Sequence, residues 1–210
     1  GFGGKETQMS LFACVAAVVA RKTGRAAKVR LDRDDDMRST GKRHAFQYAY
    51  DVGFDDRGRI LGLDLTLASR CGFSADLSGP VNDRAVFHAD NAYWLPDVAL
   101  HSFRCKTNTV SDTAFRGFGG PQGMFPIEHV IDEVARALGR DPLDVRIANL
   151  YGDTSRNVTP YGMTIEDNIA PQIIARLEVS AKYRERRGAI ARWNRDSPVI
   201  KRGIALTPVK

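Results

Sequence analysis

The tetrapeptide Gly-Phe-Gly-Gly occurs twice, at residues 1–4 and again at 117–120, and each copy leads into a helical pattern. Glycines permit positive φ and let a ligand approach the backbone closely, while the first free amides of a helix point at negative charge, so the pair suggests anion binding. A tight connection into a helix accounts for either copy equally well. Neither is a phosphate loop of the nucleotide-hydrolase type. Lys5 is followed by Glu6, where Ser or Thr would ligate magnesium, and the second copy has no lysine. A dinucleotide-binding turn is excluded too, because residues 107–112 before the second copy are mostly polar rather than a hydrophobic strand.

Three side chains stand out beside these loops. Arg116 lies between Phe115 and the second cluster, near Phe118, and its rigid fork of donors suits an anionic or oxygen-rich ligand as well as a surface ion pair. Glu6 stands at the start of an apolar helix, where it complements the helix dipole or, if it faces a pocket, hydrogen-bonds a polar substrate. Arg84, within Asn82-Asp83-Arg84-Ala85-Val86-Phe87-His88, reads from spacing alone as a surface arginine. His44, His88, His101 and His129 form no i, i+4 pair, which argues against a zinc or non-haem iron site built from side chains. Cys14, Cys71 and Cys105 are widely spaced with no C-x-x-C pair, a usage that fits a reducing cytoplasm.

The elements that must hold these residues follow from periodicity. Residues from Glu6 to about Lys22 are apolar nearly all round and end at Thr23-Gly24, predicting a buried helix with a glycine stop. Lys28–Leu31 reads as a short strand, and the acidic run Asp32–Asp36 as a solvated turn. Phe46, Tyr48, Tyr50, Val52 and Phe54 alternate, Asp55–Gly58 turns, and Leu61, Leu63, Leu65 and Leu67 alternate again: a β-hairpin with one buried face. Cys71–Asp83 is expected to be loop and Val98–Thr107 a strand. Ile127, Val130, Ile131, Val134, Ala135 and Leu138 mark an amphipathic helix. Asp141-Pro142 reads as an N-cap and first helical position, opening a short helix to Asn149. Tyr151–Gly162 reads as a linker, Ile169, Ile173, Ile174 and Leu177 as a further helix, and Ile204–Val209 as the start of a strand.

Composition bounds the partners. With 43% hydrophobic and 27% charged residues the chain is an ordinary globular one, and its longest apolar run, Leu11–Ala20, is about half of what a bilayer needs. The net charge of +6 gathers late, at Lys182, Arg184, Arg186, Arg187, Arg192 and Arg195. Without an aromatic platform alternating with those charges, they read as a solvated helix face or subunit contact rather than a nucleic-acid site.

Gly1-Phe2-Gly3-Gly4-Lys5-Glu6-Thr7, Leu31-Asp32-Arg33-Asp34-Asp35-Asp36-Met37 and Thr113-Ala114-Phe115-Arg116-Gly117-Phe118-Gly119-Gly120-Pro121-Gln122-Gly123, in that order, closely resemble the molybdenum-binding portion of xanthine dehydrogenases, within the xanthine oxidase and aldehyde oxidase family. The resemblance runs from Gly1 through Tyr151 and more faintly beyond. Members of the family are several times longer, so the chain is expected to be an internal fragment, inactive by itself. The resemblance implies an α+β fold, helices packed on mostly antiparallel strands, within a larger molybdopterin-binding domain. Residues 1–150 would be part of the first molybdenum-cofactor-binding domain, and 151–210 a linker and the beginning of the second.

It further implies molybdenum held by the dithiolene sulfurs of a pterin, with no protein side chain as ligand. Phe2, through its backbone, and Arg116 match positions that contact this cofactor. Glu6 and Arg84 match the catalytic polar pair that binds and polarises a purine, and Phe118 matches one of two phenylalanines that sandwich it. The implied activity is oxidative hydroxylation of hypoxanthine and xanthine to urate with water-derived oxygen. Electrons would leave through 2Fe-2S clusters and FAD in partner subunits or domains to NAD or another acceptor, in a cytoplasmic oligomeric complex with neither nucleic acid nor membrane as partner. Aldehyde oxidases of the family usually carry apolar residues at the positions of Glu6 and Arg84, so this pair favours a purine. An aldehyde-oxidase-type hydroxylase and a non-catalytic binding or scaffold domain are the alternatives.

Overall fold

The structure, a computed structural model, describes residues 6–210. In chain order the elements are α1 (Gln8–Thr23), α2 (Arg33–Ser39), β1 (Phe46–Phe54), β2 (Ile60–Gly72), α3 (Ser78–Val86), β3 (Val98–Lys106), α4 (Gly120–Ala137), α5 (Pro142–Asn149), α6 (Ala170–Ser180) and α7 (Tyr183–Asp196). The strands form one sheet in the order β1-β2-β3. The mixed helix-and-strand class is therefore as expected. The backbone divides into two compact units, the first holding the stretch to Tyr50 with Leu65–His88 and Leu100–Gly123, the second Asp51–Asp64, Ala89–Ala99 and Met124–Lys210.

In the first unit the strand register is set by alternation. Leu65, Leu67, Ser69 and Cys71 are buried while Arg70 is exposed, a period of two that a half-buried strand requires. Arg70 donates its N–H to Ala45 C=O at 2.9 Å, running β2 antiparallel to β1. On the other side Ser69 Oγ donates to Phe103 C=O at 3.3 Å and Thr107 N–H to Gly72 C=O at 3.0 Å. Both partners advance together, so β3 lies parallel to β2, and a parallel neighbour needs a crossover. That crossover contains α3, in a segment the sequence suggested was loop. Its residues are a mix of Ser, Gly, Pro, Asn and Asp with weak helical propensity, and the helix depends on burying Val81 and Ala85.

Two other expectations change. Residues 26–32 form no strand, and Asp32–Asp36 is more than a turn: Asp32 caps α2, its Oδ1 accepting from Asp35 N–H at 2.8 Å. The three aspartates that follow sit in the first turn, where the helix dipole favours negative charge. The helix α1 begins at Gln8, leaving Glu6 in the turn before it, and along α1 the buried residue is Gln8 rather than the apolar stripe.

In the second unit the hairpin turn is tied to α5 by one side chain. Asn149, buried, accepts from Ile60 N–H at 2.9 Å and donates to Gly58 C=O and Val145 C=O, both at 2.8 Å, so three of its four hydrogen-bonding sites are used. Ile60 is buried and Leu61 exposed, so the buried alternation of β2 does not include Leu61. Asp141 caps α5 as its sequence foretells, accepting from Leu143 N–H at 2.9 Å with Pro142 in the first turn. Ile127, Val130, Ile131, Val134 and Ala135 of α4 pack at the centre of this unit with Leu143 and Val145. Around them, Arg146 pairs with Glu128 at 2.8 Å and Asp132 at 2.9 Å, and Tyr93 and Asn91 also donate to Glu128. The aromatic residues near the late basic cluster are taken by the protein's own arginines, Arg184 over Tyr183 at 5.5 Å and Arg202 over Trp193 at 3.6 Å. Residues 199–210 form no regular element, so the strand expected at Ile204–Val209 is not made.

Candidate functional site

The second glycine cluster lies in the first unit, at the entrance of α4. Gly117, Phe118 and Gly119 all have positive φ, at 96°, 49° and 98°. For Phe118 this is the left-handed region that side chains resist, and it persists only where the surroundings fix it. They do. A Cβ on Gly119 would come within 2.0 Å of Val81 C=O, and one on Gly123 within 2.0 Å of Ala85 C=O, so α3 and the start of α4 touch backbone to backbone. Gly117 faces the Pro121 ring, 2.6 Å from its Cβ position. These glycines are demanded by the protein's own packing. The anion-cradle reading of the loop therefore rests on its amides: among the described residues the N–H groups of Gly119 and Gln122 donate to no acceptor, as the start of a helix leaves them.

Arg84 belongs to this place. Its Nε lies 3.8 Å from the Cβ position of Gly120, and His88 Cδ2 lies 3.6 Å from the same point. His88 Nδ1 is 2.9 Å from the carbonyl oxygen of Arg84, one helical turn back. The guanidinium makes no ion pair among the described residues and is exposed. What fixes its helix is a set of buried polar contacts: Asn82 Nδ2 donates to Ser102 Oγ and Phe103 C=O, both at 3.2 Å, and Ser78 Oγ lies 2.8 Å from His44 Nε2. Burial pushes the His44 imidazole below its usual pKa, against the pull of Asp112 and Asp76, so it stays neutral at pH 7.

The approach to Arg116 is anchored from two sides. Asp112, fully buried, receives a bidentate pair from Arg70, Nε at 2.8 Å and Nη2 at 3.2 Å. Asp76 accepts from Thr113 Oγ1 at 2.9 Å and also from Thr7 Oγ1 at 3.0 Å and Gln8 Nε2 at 3.1 Å. One carboxylate thus ties the residues just after Glu6 to the residues just before Arg116. Arg43 stacks on Phe115, at 4.3 Å, while its Nη2 donates to the Arg116 carbonyl at 2.6 Å. Arg116 and Glu6 both turn their side chains to an exposed surface. The structure thus brings Arg84 onto the loop that carries Phe118 and Arg116, and tethers the chain next to Glu6 to the same segment. Phe2 lies outside the described residues. Asp76 and Arg43 were missed because a lone carboxylate in a polar stretch and a basic residue before a strand give no pattern to read.

Comparison with known proteins gives the context. A family described as molybdopterin cofactor-binding domain matches residues 1–150. A xanthine dehydrogenase of Drosophila subobscura is 43% identical over 212 residues, covering 100% of this chain and 16% of that protein. A nicotinate hydroxylase of Emericella nidulans is 41% identical over 210 residues, covering 100% of this chain and 15% of that protein. Among solved structures, an aldehyde oxidoreductase from Desulfovibrio gigas superposes with a TM-score of 0.78 at 28% identity, over 95% of this chain and 21% of that one. The chain thus spans about a sixth of the length of the curated relatives it matches.

Proposed function

We propose, from the premise that the chain belongs to the family of molybdopterin cofactor-binding domains, that it forms part of the purine site of a xanthine dehydrogenase-type oxidoreductase. The observation that carries the reading is the Arg84 guanidinium, without a carboxylate partner among the described residues, lying against the glycine loop of Phe118. An exposed arginine that no carboxylate among the described residues neutralises suits a ligand that gains negative charge.

The residues fit the cofactor the family binds. The open amides at the start of α4 and the Arg116 side chain offer donors to the oxygen-rich atoms of such a group, and Phe2 would add its backbone. When bound, the cofactor supplies two-electron oxidation with oxygen taken from water. The chain's own residues bind and orient. Arg84 stabilises negative charge that grows on the heterocycle, Glu6 hydrogen-bonds the ring, and Phe118 stacks on it and fixes its plane.

In this reading residues 1–150 are part of the first cofactor-binding domain, and residues 151–210 a linker and the beginning of the second. The whole protein passes electrons through 2Fe-2S and FAD modules to NAD or another acceptor, in an oligomeric cytoplasmic complex. A second N-heterocycle class is favoured by one observation: identity to the nicotinate hydroxylase, 41%, nearly equals that to the xanthine dehydrogenase, 43%.

The test is steady-state turnover of xanthine, nicotinate and an aromatic aldehyde by the full-length, molybdenum-loaded enzyme. Arg84→Met should lower kcat/KM for xanthine about 100-fold or more, the usual cost of removing a group that stabilises transition-state charge, while aldehyde turnover survives. Glu6→Val should do the same to a lesser degree. Wild type that prefers nicotinate moves the assignment to the second class, wild type that oxidises only aldehydes makes it an aldehyde oxidase, and a molybdenum-loaded enzyme inert to all three refutes the purine reading.

A further inference from the structure

The second unit contains a cavity of about 250 Å³ whose charged lining is four arginines, Arg136, Arg140, Arg146 and Arg187, against a single carboxylate, Asp132. Like charges gathered around one void repel, so something must hold each of them there. For three of them it is a carboxylate set behind the wall. Arg146 has a side chain only 2% exposed and is locked through Nε by Glu128 at 2.8 Å and through Nη2 by Asp132 at 2.9 Å. Arg187 is held through Nε by Asp141 at 2.6 Å, and Arg136 pairs with Glu133. Glu128, Glu133 and Asp141 do not line the cavity. Arg187 also donates Nη1 to Ile204 C=O at 3.3 Å, and since each guanidinium carries five donors, these pairings leave donors over on all three arginines of the wall. Tyr183, also in the wall, is kept in place by donating to Asp141 at 2.9 Å.

Arg140 differs. It has no carboxylate partner among the described residues, and its one contact is a 3.4 Å approach of Nη1 to Asp56 C=O. A fixed set of guanidiniums with one uncompensated member is the arrangement that recognises tetrahedral oxyanions. Size narrows the class, because the volume falls below the roughly 300 Å³ at which pockets for drug-sized ligands begin.

We propose that this cavity is a binding site for a small multivalent phosphate, of the size of inorganic phosphate or diphosphate, separate from the residues assigned to the purine site. The phosphate accepts from Arg140, Arg136 and Arg187 at the mouth and from Arg146 at the buried end. Its source is either the free ion or the phosphate of a small monoester.

The experiment is isothermal titration of the full-length enzyme, in phosphate-free buffer at low salt, with inorganic diphosphate and, in a second arm, with glycerol phosphate. Diphosphate should bind with one site per chain and lose affinity as salt rises. The variant Arg140→Gln should weaken it at least tenfold, and Arg136→Gln to a lesser degree, with xanthine turnover unchanged in both. Tighter binding of glycerol phosphate than of diphosphate identifies a monoester as the occupant. No saturable binding to wild type, or binding that Arg140→Gln and Arg136→Gln leave unchanged, overturns the proposal.

Discussion

Gly119 and Gly139 share a left-handed backbone, with φ of +98° and +63°, but only the first has a neighbour in the way. An added Cβ at Gly139 meets nothing within 4 Å, so Gly139→Ala costs the conformational penalty alone, about 1 kcal/mol. At Gly119 the same methyl would sit 2.0 Å from Val81 C=O, and since that atom is helix backbone, α3 or the loop must move as a body. Overpacking of this kind adds about 1–3 kcal/mol and displaces the helix that carries Arg84. Full-length Gly119→Ala enzyme is therefore expected to show reduced molybdenum content, earlier thermal inactivation and impaired xanthine turnover, with Gly139→Ala near wild type in all three. Equal behaviour of the two variants would sink the packing argument. The glycine cluster was legible in the sequence as a place, and its reason was not. Glycine composition alone cannot distinguish approach by a ligand from approach by the protein's own helix, and the partner, Val81, lies 38 positions earlier in the numbering in a stretch that resembles loop.

At the scale of elements, α4 illustrates how one residue's defect is repaired by another element. Pro126 stands inside the helix and has no N–H, so the carbonyl four residues earlier, at Gln122, loses its intrahelical donor. Tyr48 on β1 supplies one, its hydroxyl donating to Gln122 C=O at 2.8 Å. Burial pushes that hydroxyl's pKa up to about 12, so it remains a donor across the physiological range. Removing it leaves a carbonyl with neither intrahelical nor cross-element donor, worth about 1 kcal/mol. Amide exchange in the first turns of α4 of the full-length protein should then run about five- to tenfold faster in Tyr48→Phe. In a Pro126→Ala background, where the N–H returns, the same substitution should change little. An equal acceleration in both backgrounds would show that the hydroxyl acts elsewhere. Periodicity found the core of α4, its first residues excepted. The helix starts at Gly120, seven residues before the apolar pattern begins at Ile127, because glycine and proline mask a helix whose first turns are stabilised by contacts rather than by propensity. The hairpin, β3, α5 and α6 were all readable, since each shows its period or its cap in a short window. The parallel pairing of β3 was not, because register across a crossover is set by contacts far apart in sequence.

For the molecule as a whole, the least anticipated property is the surface of α1. Its apolar character foretold burial, yet Leu11, Val15, Val18 and Val19 are 64%, 53%, 54% and 44% exposed. These positions fall at i, i+4, i+7 and i+8, so they form one continuous face of the helix. Sequence pattern reports that a face is apolar, whereas burial depends on what else is folded against it, and this chain spans about a sixth of its relatives' length. An uncovered stripe of this kind associates in water. The 210-residue chain expressed by itself is thus expected to bind a hydrophobic dye and to sediment well above 23.2 kDa at tens of micromolar, with no turnover of xanthine. Leu11→Glu with Val15→Lys places opposite charges one turn apart on that face and should return the chain to a monomer with reduced dye binding. A wild-type chain that sediments as a monomer and binds no dye would mean that α1 folds back onto the chain in solution. Assembly that persists in the double variant would locate the sticky surface on another element, with the half-exposed Ile173 and Leu177 of α6 the next to replace.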